Sequence, residues 1–171
     1  MIHLNIGSNL KSRFGGKFAN IEKTLNLISK ENISIEKISS FYKTPSYPNR
    51  SNPYFVNLGI NIRTKIQPID LLKKLKNIER IIGRINTFKN APRVCDIDII
   101  DYNGMKIDNK KINLPHKSMH LRNFVLFPLK ELNYNWYHPV YNKKIDFFLK
   151  RLDFKSHIEI TRLNKSVIKI M

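Results

Sequence analysis

The segment Tyr54-Phe55-Val56-Asn57-Leu58-Gly59-Ile60-Asn61-Ile62-Arg63, followed after four residues by Pro68-Ile69-Asp70-Leu71-Leu72-Lys73-Lys74-Leu75-Lys76-Asn77-Ile78-Glu79-Arg80-Ile81-Ile82-Gly83, decides the fold class. In its first half the side chains alternate. Val56, Leu58, Ile60 and Ile62 make one apolar face, and Phe55, Asn57, Gly59 and Asn61 make the other, which is the pattern of a strand whose two faces meet different surroundings. In its second half the period lengthens. Leu71, Leu75, Ile78 and Ile82 recur at i, i+4, i+7 and i+11, the apolar stripe of a helix. Pro68 suits the first turn, where its missing N–H costs nothing, and Gly83 suits the left-handed residue that ends a helix.

Working outward, Ile2 to Gly7 reads as a strand running into a Gly-Ser-Asn turn. Phe18, Ile21, Leu25 and Ile28 predict a helix over 17–29, and Ile33 to Tyr42 alternates as a second strand. Thr44 to Pro53 holds three prolines and reads as a loop. Downstream, 86–92 reads as a loop, 94–102 as a strand, 106–114 as a short hairpin, 121–132 as a helix that Pro128 interrupts, 145–152 as a helix and 157–162 as a last strand. The order strand, helix, strand, strand, helix, strand is the split βαβ pattern. It predicts an α+β, ferredoxin-like βαββαβ sandwich with additional C-terminal elements. A length of 171 residues predicts one domain over 1–171.

The formal net charge is +18, which taken alone points to a polyanion partner. The same chain carries 22 Lys, 25 Ile and 20 Asn against 2 Ala, the signature of A/T-rich codons, and its basic residues are spread along the whole length. Codon drift therefore accounts for the charge without nucleic acid. A single cysteine, Cys95, excludes an internal disulfide and a cysteine-rich zinc site and suits a reducing, cytoplasmic setting. No apolar run is long enough to cross a membrane, and no leader-like segment opens the chain. Phosphate-binding loops of the G-x-x-x-x-G-K-[ST] kind and the G-x-G-x-x-G turn are both missing.

Four local patterns carry chemistry. In Arg93-Val94-Cys95-Asp96-Ile97-Asp98-Ile99, Asp96 and Asp98 fall on one face of a strand, roughly 6–7 Å apart at their Cα atoms. Paired carboxylates in an otherwise apolar strand are costly without a partner and invite a hard divalent cation. Leu114-Pro115-His116 with Arg122 can donate to phosphate oxygens. Glu79 and Arg84 flank the end of the helix over 68–82. Asn57, a strand amide sharing its face with Phe55, suits a flat heterocycle with neighbouring donor and acceptor, over which Phe124 can stack. Each has a plainer reading as a solvated face, a loop residue or a surface ion pair.

Taken together, these blocks resemble the 6-hydroxymethyl-7,8-dihydropterin pyrophosphokinases of folate biosynthesis. The resemblance rests on Ile6-Gly7-Ser8-Asn9-Leu10, Ser39-Ser40-Phe41-Tyr42-Lys43-Thr44-Pro45, Phe55-Val56-Asn57, Ile78-Glu79 with Gly83-Arg84, Pro92-Arg93 through Asp98, Leu114-Pro115-His116, and Arg122-Asn123-Phe124 with Pro128-Leu129. It runs from Ile6 to about Leu132, and the tail beyond adds little. The resemblance implies transfer of pyrophosphate from ATP to the pterin alcohol with release of AMP. It implies two Mg²⁺ on Asp96 and Asp98, and phosphate-handling and catalytic arginines at Arg84, Arg93 and Arg122. It places His116 and Glu79 at the nucleotide, and it places pterin contacts at Thr44, Pro45, Tyr47, Asn57 and Phe124, with Phe55 beside them. The implied partners are ATP and the reduced pterin alcohol, handled by a monomer.

The family's mobile loop usually carries a second Arg two positions after Arg84, and later Arg, an aromatic residue and Gly. Here these positions are Asn86, Lys89, Asn90 and Ala91, with Phe88 and Lys89 the nearest replacements. This predicts a looser lid and slower turnover, because Lys lacks the bidentate fork of Arg. A basic ferredoxin-like RNA-binding module is the alternative, and a decayed enzyme is a third reading. Against RNA stand the missing aromatic strand signature and two carboxylates on the binding face.

Overall fold

The computed structural model describes residues 1–85 and 90–165. Its elements are β1 (Ile2–Ser8), α1 (Lys17–Ser29), β2 (Ser34–Ile38), β3 (Phe41–Thr44), β4 (Phe55–Arg63), α2 (Pro68–Ile82), β5 (Asp96–Tyr102), β6 (Ile107–Asp108), β7 (Asn113–Leu114), α3 (Asn123–Leu132), α4 (Ile145–Arg151), α5 (Phe154–Ile158) and β8 (Thr161–Leu163), with a 3₁₀ turn over Met119–Leu121. The main sheet runs β5-β1-β4-β3-β8, β2 also pairs with β4, and every pairing is antiparallel. With β2 and β3 counted as one broken strand, this is the sheet order of the ferredoxin-like α+β fold.

The alternation of β4 separates two cores. Val56, Leu58, Ile60 and Ile62 join Leu4, Ile6, Ile97 and Ile99 under α1 and α2, where Ile21, Leu25, Leu71, Leu75 and Ile78 close the layer. The α2 caps follow the sequence, with Pro at the first turn and Gly83 at φ 111°. The opposite face carries a second core of Met119, Val125, Leu126, Leu129, Trp136, Ile145 and Phe148 from α3, α4 and their connections. A bulge in the β1–β5 ladder pairs Leu4 with Ile99 and His3 with Asp101. The extra residue, Ile100, belongs to the second core, while Ile97 and Ile99 stay in the first.

Four expectations shift. The strand over 33–42 is broken at Ser39-Ser40. There the Ser39 hydroxyl accepts from Gly59 N at 2.9 Å, taking a place in the ladder, and pairing resumes through Thr44, which is strand rather than loop. The strand over 94–102 begins at Asp96, because Arg93 N instead donates to Asn9 Oδ1 at 2.7 Å. Pro128 lies inside α3 without breaking it. It stands at the sixth helical position, where a missing N–H costs a backbone bond, and its ring packs onto β4 at Gly59. His157 is helical, because Asp153 Oδ1 accepts from Ser156 N and starts α5, and the last strand is the later β8.

The candidate active site

Where the sheet face opposite α1 and α2 is left open, its floor is built from three neighbouring strands. Gly7 on β1 has Asn57 of β4 and Asp96 of β5 as ladder partners, and Asn5 has Gly59 and Asp98. The resulting cleft has a volume of about 660 Å³. Thr44, Pro45, Tyr47, Phe55, Asn57, Arg93, Asp96, Asp98, Arg122 and Phe124 all border it, so the structure brings together ten of the thirteen residues singled out in the sequence.

The acids hold one end. Asp96 is gripped by Arg84 Nη1 on one oxygen and by Arg93 Nη1 at 2.9 Å on the other. Burial pushes this carboxyl up, but Arg93 and Arg84 outweigh burial and hold it below the usual carboxylate range. Asp98 is looser, with Arg122 Nη1 at 3.7 Å and His116 Nε2 at 4.0 Å. Burial, then the charge of Asp96, raises its affinity for a proton. The two neighbouring carboxylates are thus driven in opposite directions, Asp96 downward by its arginines and Asp98 upward by burial and the charge of Asp96.

The other end is flat and aromatic. Phe55 and Phe124 border it, and Asn57 Nδ2 donates to Thr44 Oγ1 at 2.9 Å, which fixes the plane of the buried amide. Tyr47 stands at the rim, 84% exposed.

Glu79, Arg84 and His116 do not line the cleft itself. Arg84 and His116 act on it through Asp96 and Asp98. Glu79 is 2% exposed; it accepts from Ile97 N at 2.7 Å and Lys76 Nζ at 2.7 Å, and forms an ion pair with Arg84 Nη1 at 2.8 Å. Its carboxylate is therefore committed to holding β5 and Arg84 in place. Glu79 thus stands behind Asp96, joined to it through Arg84. Asn86, Phe88 and Lys89, on which the looser lid depends, lie outside the described residues. Of the departures beside them, Asn90 borders the cleft at φ 63°, and the Ala91 carbonyl accepts from Arg93 Nε at 3.0 Å.

The tail beyond Leu132 contributes a wall. Asp153, Ser156 and Glu159 border the cleft, Asn123 Nδ2 donates to Ser156 O at 2.7 Å, and Arg50 grips Glu159 with contacts of 2.6 and 2.7 Å. β8 then pairs with β3, the strand that ends in Thr44. No local pattern in the sequence announced this, because Arg50 and Glu159 are far apart along the chain and each reads as an ordinary surface charge.

The model of the 7,8-dihydro-6-hydroxymethylpterin-pyrophosphokinase (HPPK) family matches residues 3–134. The chain belongs to this family. A 2-amino-4-hydroxy-6-hydroxymethyldihydropteridine pyrophosphokinase of Aquifex aeolicus is 34% identical over 147 residues, covering 86% of this chain and 89% of that protein. The folic acid synthesis protein FOL1 of Dictyostelium discoideum is 40% identical over 139 residues, which are 81% of this chain but only 20% of that longer protein. Among solved structures, a Plasmodium falciparum HPPK-DHPS variant with pterin and p-hydroxybenzoate superposes with a TM-score of 0.71 at 15% identity, covering 94% of this chain and 46% of that one. At that identity the likeness speaks for the fold.

The residues fit the magnesium that an HPPK implies. Among the described residues no three His, Cys, Asp or Glu side chains converge on one point, so there is no all-protein metal cage. Magnesium does not ask for one. It binds through one or two carboxylates and keeps water and substrate phosphates in its remaining positions. Asp96 and Asp98 are hard oxygen donors on one face of the cleft, and Asp98 is held only at long range by Arg122 and His116.

Proposed function

We propose that this protein transfers the β,γ-pyrophosphoryl unit of ATP to the hydroxymethyl oxygen of 6-hydroxymethyl-7,8-dihydropterin, releasing AMP, as a step of folate synthesis. The observation that carries this reading is the shared floor: Asp96 and Asp98 face the same cleft as Asn57, Thr44 and Phe124. A site for a polyanion held through metal thus lies beside a slot for a flat ring.

Asp96 and Asp98 are the residues that would hold magnesium, which when bound neutralises and bridges the phosphates. Arg93 and Arg84, now spread on Asp96, are placed to turn toward phosphate oxygens as charge builds on the bridging atom. Arg122 and His116 flank Asp98, with Arg122 completing the cationic side. Asn57 and Thr44 read the edge of the pterin, Phe55 and Phe124 hold its faces, and Pro45 and Tyr47 shape the rim. Phosphoryl chemistry of this kind gives the protein little covalent work, so alignment and charge compensation supply the rate. The proposal takes the protein to act as a monomer, and the single buried thiol of Cys95 suits a reducing compartment such as the cytoplasm.

The RNA-binding alternative lacks support. The sheet face that such a module would present is covered by α3 at Gly59 and carries both acids.

The test is AMP release from ATP with and without the pterin alcohol. AMP should appear only when ATP, Mg²⁺ and alcohol are all present. Asp96→Ala and Asp98→Ala should each lower the rate at least about 100-fold, the equivalent of several kcal/mol of lost charge stabilisation. Circular dichroism should show both variants folded. Near-normal turnover in either variant removes that acid from the metal site, and AMP release independent of the alcohol rejects the reaction.

A further inference from the structure

The loop over 45–54 joins β3 to β4, so it runs from Thr44 to Phe55 along the flat end of the cleft. Its base is well fastened. Asn9 Nδ2 donates to Ser46 Oγ and to Pro53 O, each at 3.1 Å, and Ser46 Oγ donates to Pro53 O at 2.6 Å. Its tip is not. Ser51 N bonds to Asn49 Oδ1 and Asn52 N to Asn49 O, both within the tip itself. Among the described residues, hydrogen bonds from 47–52 to the rest of the chain run only through Arg50, whose Nη2 donates to both carboxylate oxygens of Glu159.

Glu159 is the anchored partner of the two. Three residues before it, Ser156 O accepts from Asn123 Nδ2 at the start of α3. Two residues after it, Thr161 enters β8 and pairs with Lys43 of β3, and Arg162 Nε donates to Ser40 Oγ at 2.8 Å. Its side chain is 23% exposed against 47% for Arg50. The tail therefore offers a fixed carboxylate, and the loop tip reaches out to it. A surface ion pair adds little to the stability of a whole fold, because water serves both charges well in the unfolded chain. Here the restrained object is a short irregular segment on which Tyr47 and Arg50 border the cleft, and ordering such a segment before a ligand arrives spares that cost at binding.

We infer that Glu159 is a positioning residue for the pterin substrate, holding the tip of the 45–54 loop at the mouth of the cleft through Arg50. This rests on the pyrophosphokinase reading and deepens it, because it gives the tail, which lies beyond the family match over 3–134, a part in substrate binding. Neither Glu159 nor Arg50 has to touch the ring. The loop continues directly into Thr44 on one side and Phe55 and Asn57 on the other, whereas Asp96 and Asp98 stand on a different strand. The tie therefore acts on the pterin end and leaves the phosphate end alone.

The experiment follows AMP release at varied concentrations of the pterin alcohol in wild-type protein, Glu159→Gln, Arg50→Gln and the double variant. KM for the alcohol should rise about two- to fivefold in each single variant, the worth of one exposed ion pair. It should rise no further in the double variant, because either change cuts the same tie. Amide hydrogen exchange over 47–52 should quicken in ligand-free Glu159→Gln. Turnover at saturation and the affinity for α,β-methylene-ATP with Mg²⁺ should not move, and the melting temperature should fall by no more than about 3 °C. An unchanged KM or unchanged exchange in Glu159→Gln overturns the inference. So do additive effects of the two changes, which make Arg50 act on its own, and a lowered KM, which makes the pair an obstacle to entry. A larger loss of melting temperature together with weakened ATP-analogue binding overturns it as well, marking a purely structural tail. Wild-type protein that releases no AMP with the alcohol present instead brings down the pyrophosphokinase reading, and this inference with it.

Discussion

Arg93 shows how tightly one side chain is prepared for its work. Its backbone N–H donates to Asn9 Oδ1 at 2.7 Å, its Nε to the Ala91 carbonyl at 3.0 Å and its Nη1 to Asp96 at 2.9 Å. The guanidinium is thus held on Asp96 at the border of the cleft before any substrate arrives, where a small turn would carry it to a phosphate oxygen. Arg93→Ala should reduce kcat about 100-fold while ATP affinity changes only a few-fold, measured by single-turnover AMP release beside equilibrium binding of an ATP analogue. An effect confined to KM opposes that role. At this scale much was legible in the sequence. Asp96 and Asp98 alternate with Ile97 and Ile99, and strand geometry alone puts the acids on one side. Two things were not legible. The committed carboxylate of Glu79 depends on the β5 backbone beside it, and the buried Oδ1 of Asn5 on β1 is set apart by having no hydrogen-bond partner among the described residues. Neither leaves a trace in local residue order.

Gly59 and Pro128 decide how closely α3 settles on the sheet. A Cβ at position 59 would lie 2.8 Å from Pro128 Cβ and 3.0 Å from His3 Cε1, both in rigid rings. The strand glycine is therefore a place of close approach and not a bend. Gly59→Ala should cost about 1–3 kcal/mol through overpacking, read as a lower urea midpoint with an unchanged slope. A midpoint within error of wild type would mean that α3 stands off more freely than described. The elements that sequence periodicity predicted well, β1, α1, β4 and α2, are long and each turns a continuous apolar face into one core. Those it missed were set by tertiary contacts. Ser39 breaks a strand by lending its hydroxyl to the ladder, Pro128 survives inside a helix because its ring packs on β4, and β8 forms only because the edge of β3 is there to receive it.

The whole molecule stores a sensitivity to acid at two buried histidines, His3 and His138. His3 is fully buried on β1, with its Nδ1 3.0 Å from Asn61 Oδ1, and burial lowers its pKa to about 4 against that hydrogen bond. His138 is 3% exposed among Trp136, Tyr141, Phe148 and His120, and burial, then His120, lowers its pKa to about 4 as well. Its Nδ1 accepts from Val140 N at 3.2 Å and Tyr141 N at 3.3 Å, which a protonated ring cannot do. In the unfolded chain both rings titrate near pH 6.5, so between that value and about 4 the unfolded state binds more protons than the folded one. Stability is therefore complete above pH 6.5 and falls as the pH drops through this window, by up to roughly 3 kcal/mol for each ring. That is a large share of the roughly 5–15 kcal/mol that holds an ordinary domain. Urea midpoints at pH 7.5, 6.0 and 5.0 should decline steadily. His138→Asn, whose side-chain oxygen can stand in for the Nδ1 acceptor but does not titrate, should flatten that decline by about half. A slope that His138→Asn leaves untouched would place the acid sensitivity elsewhere in the molecule.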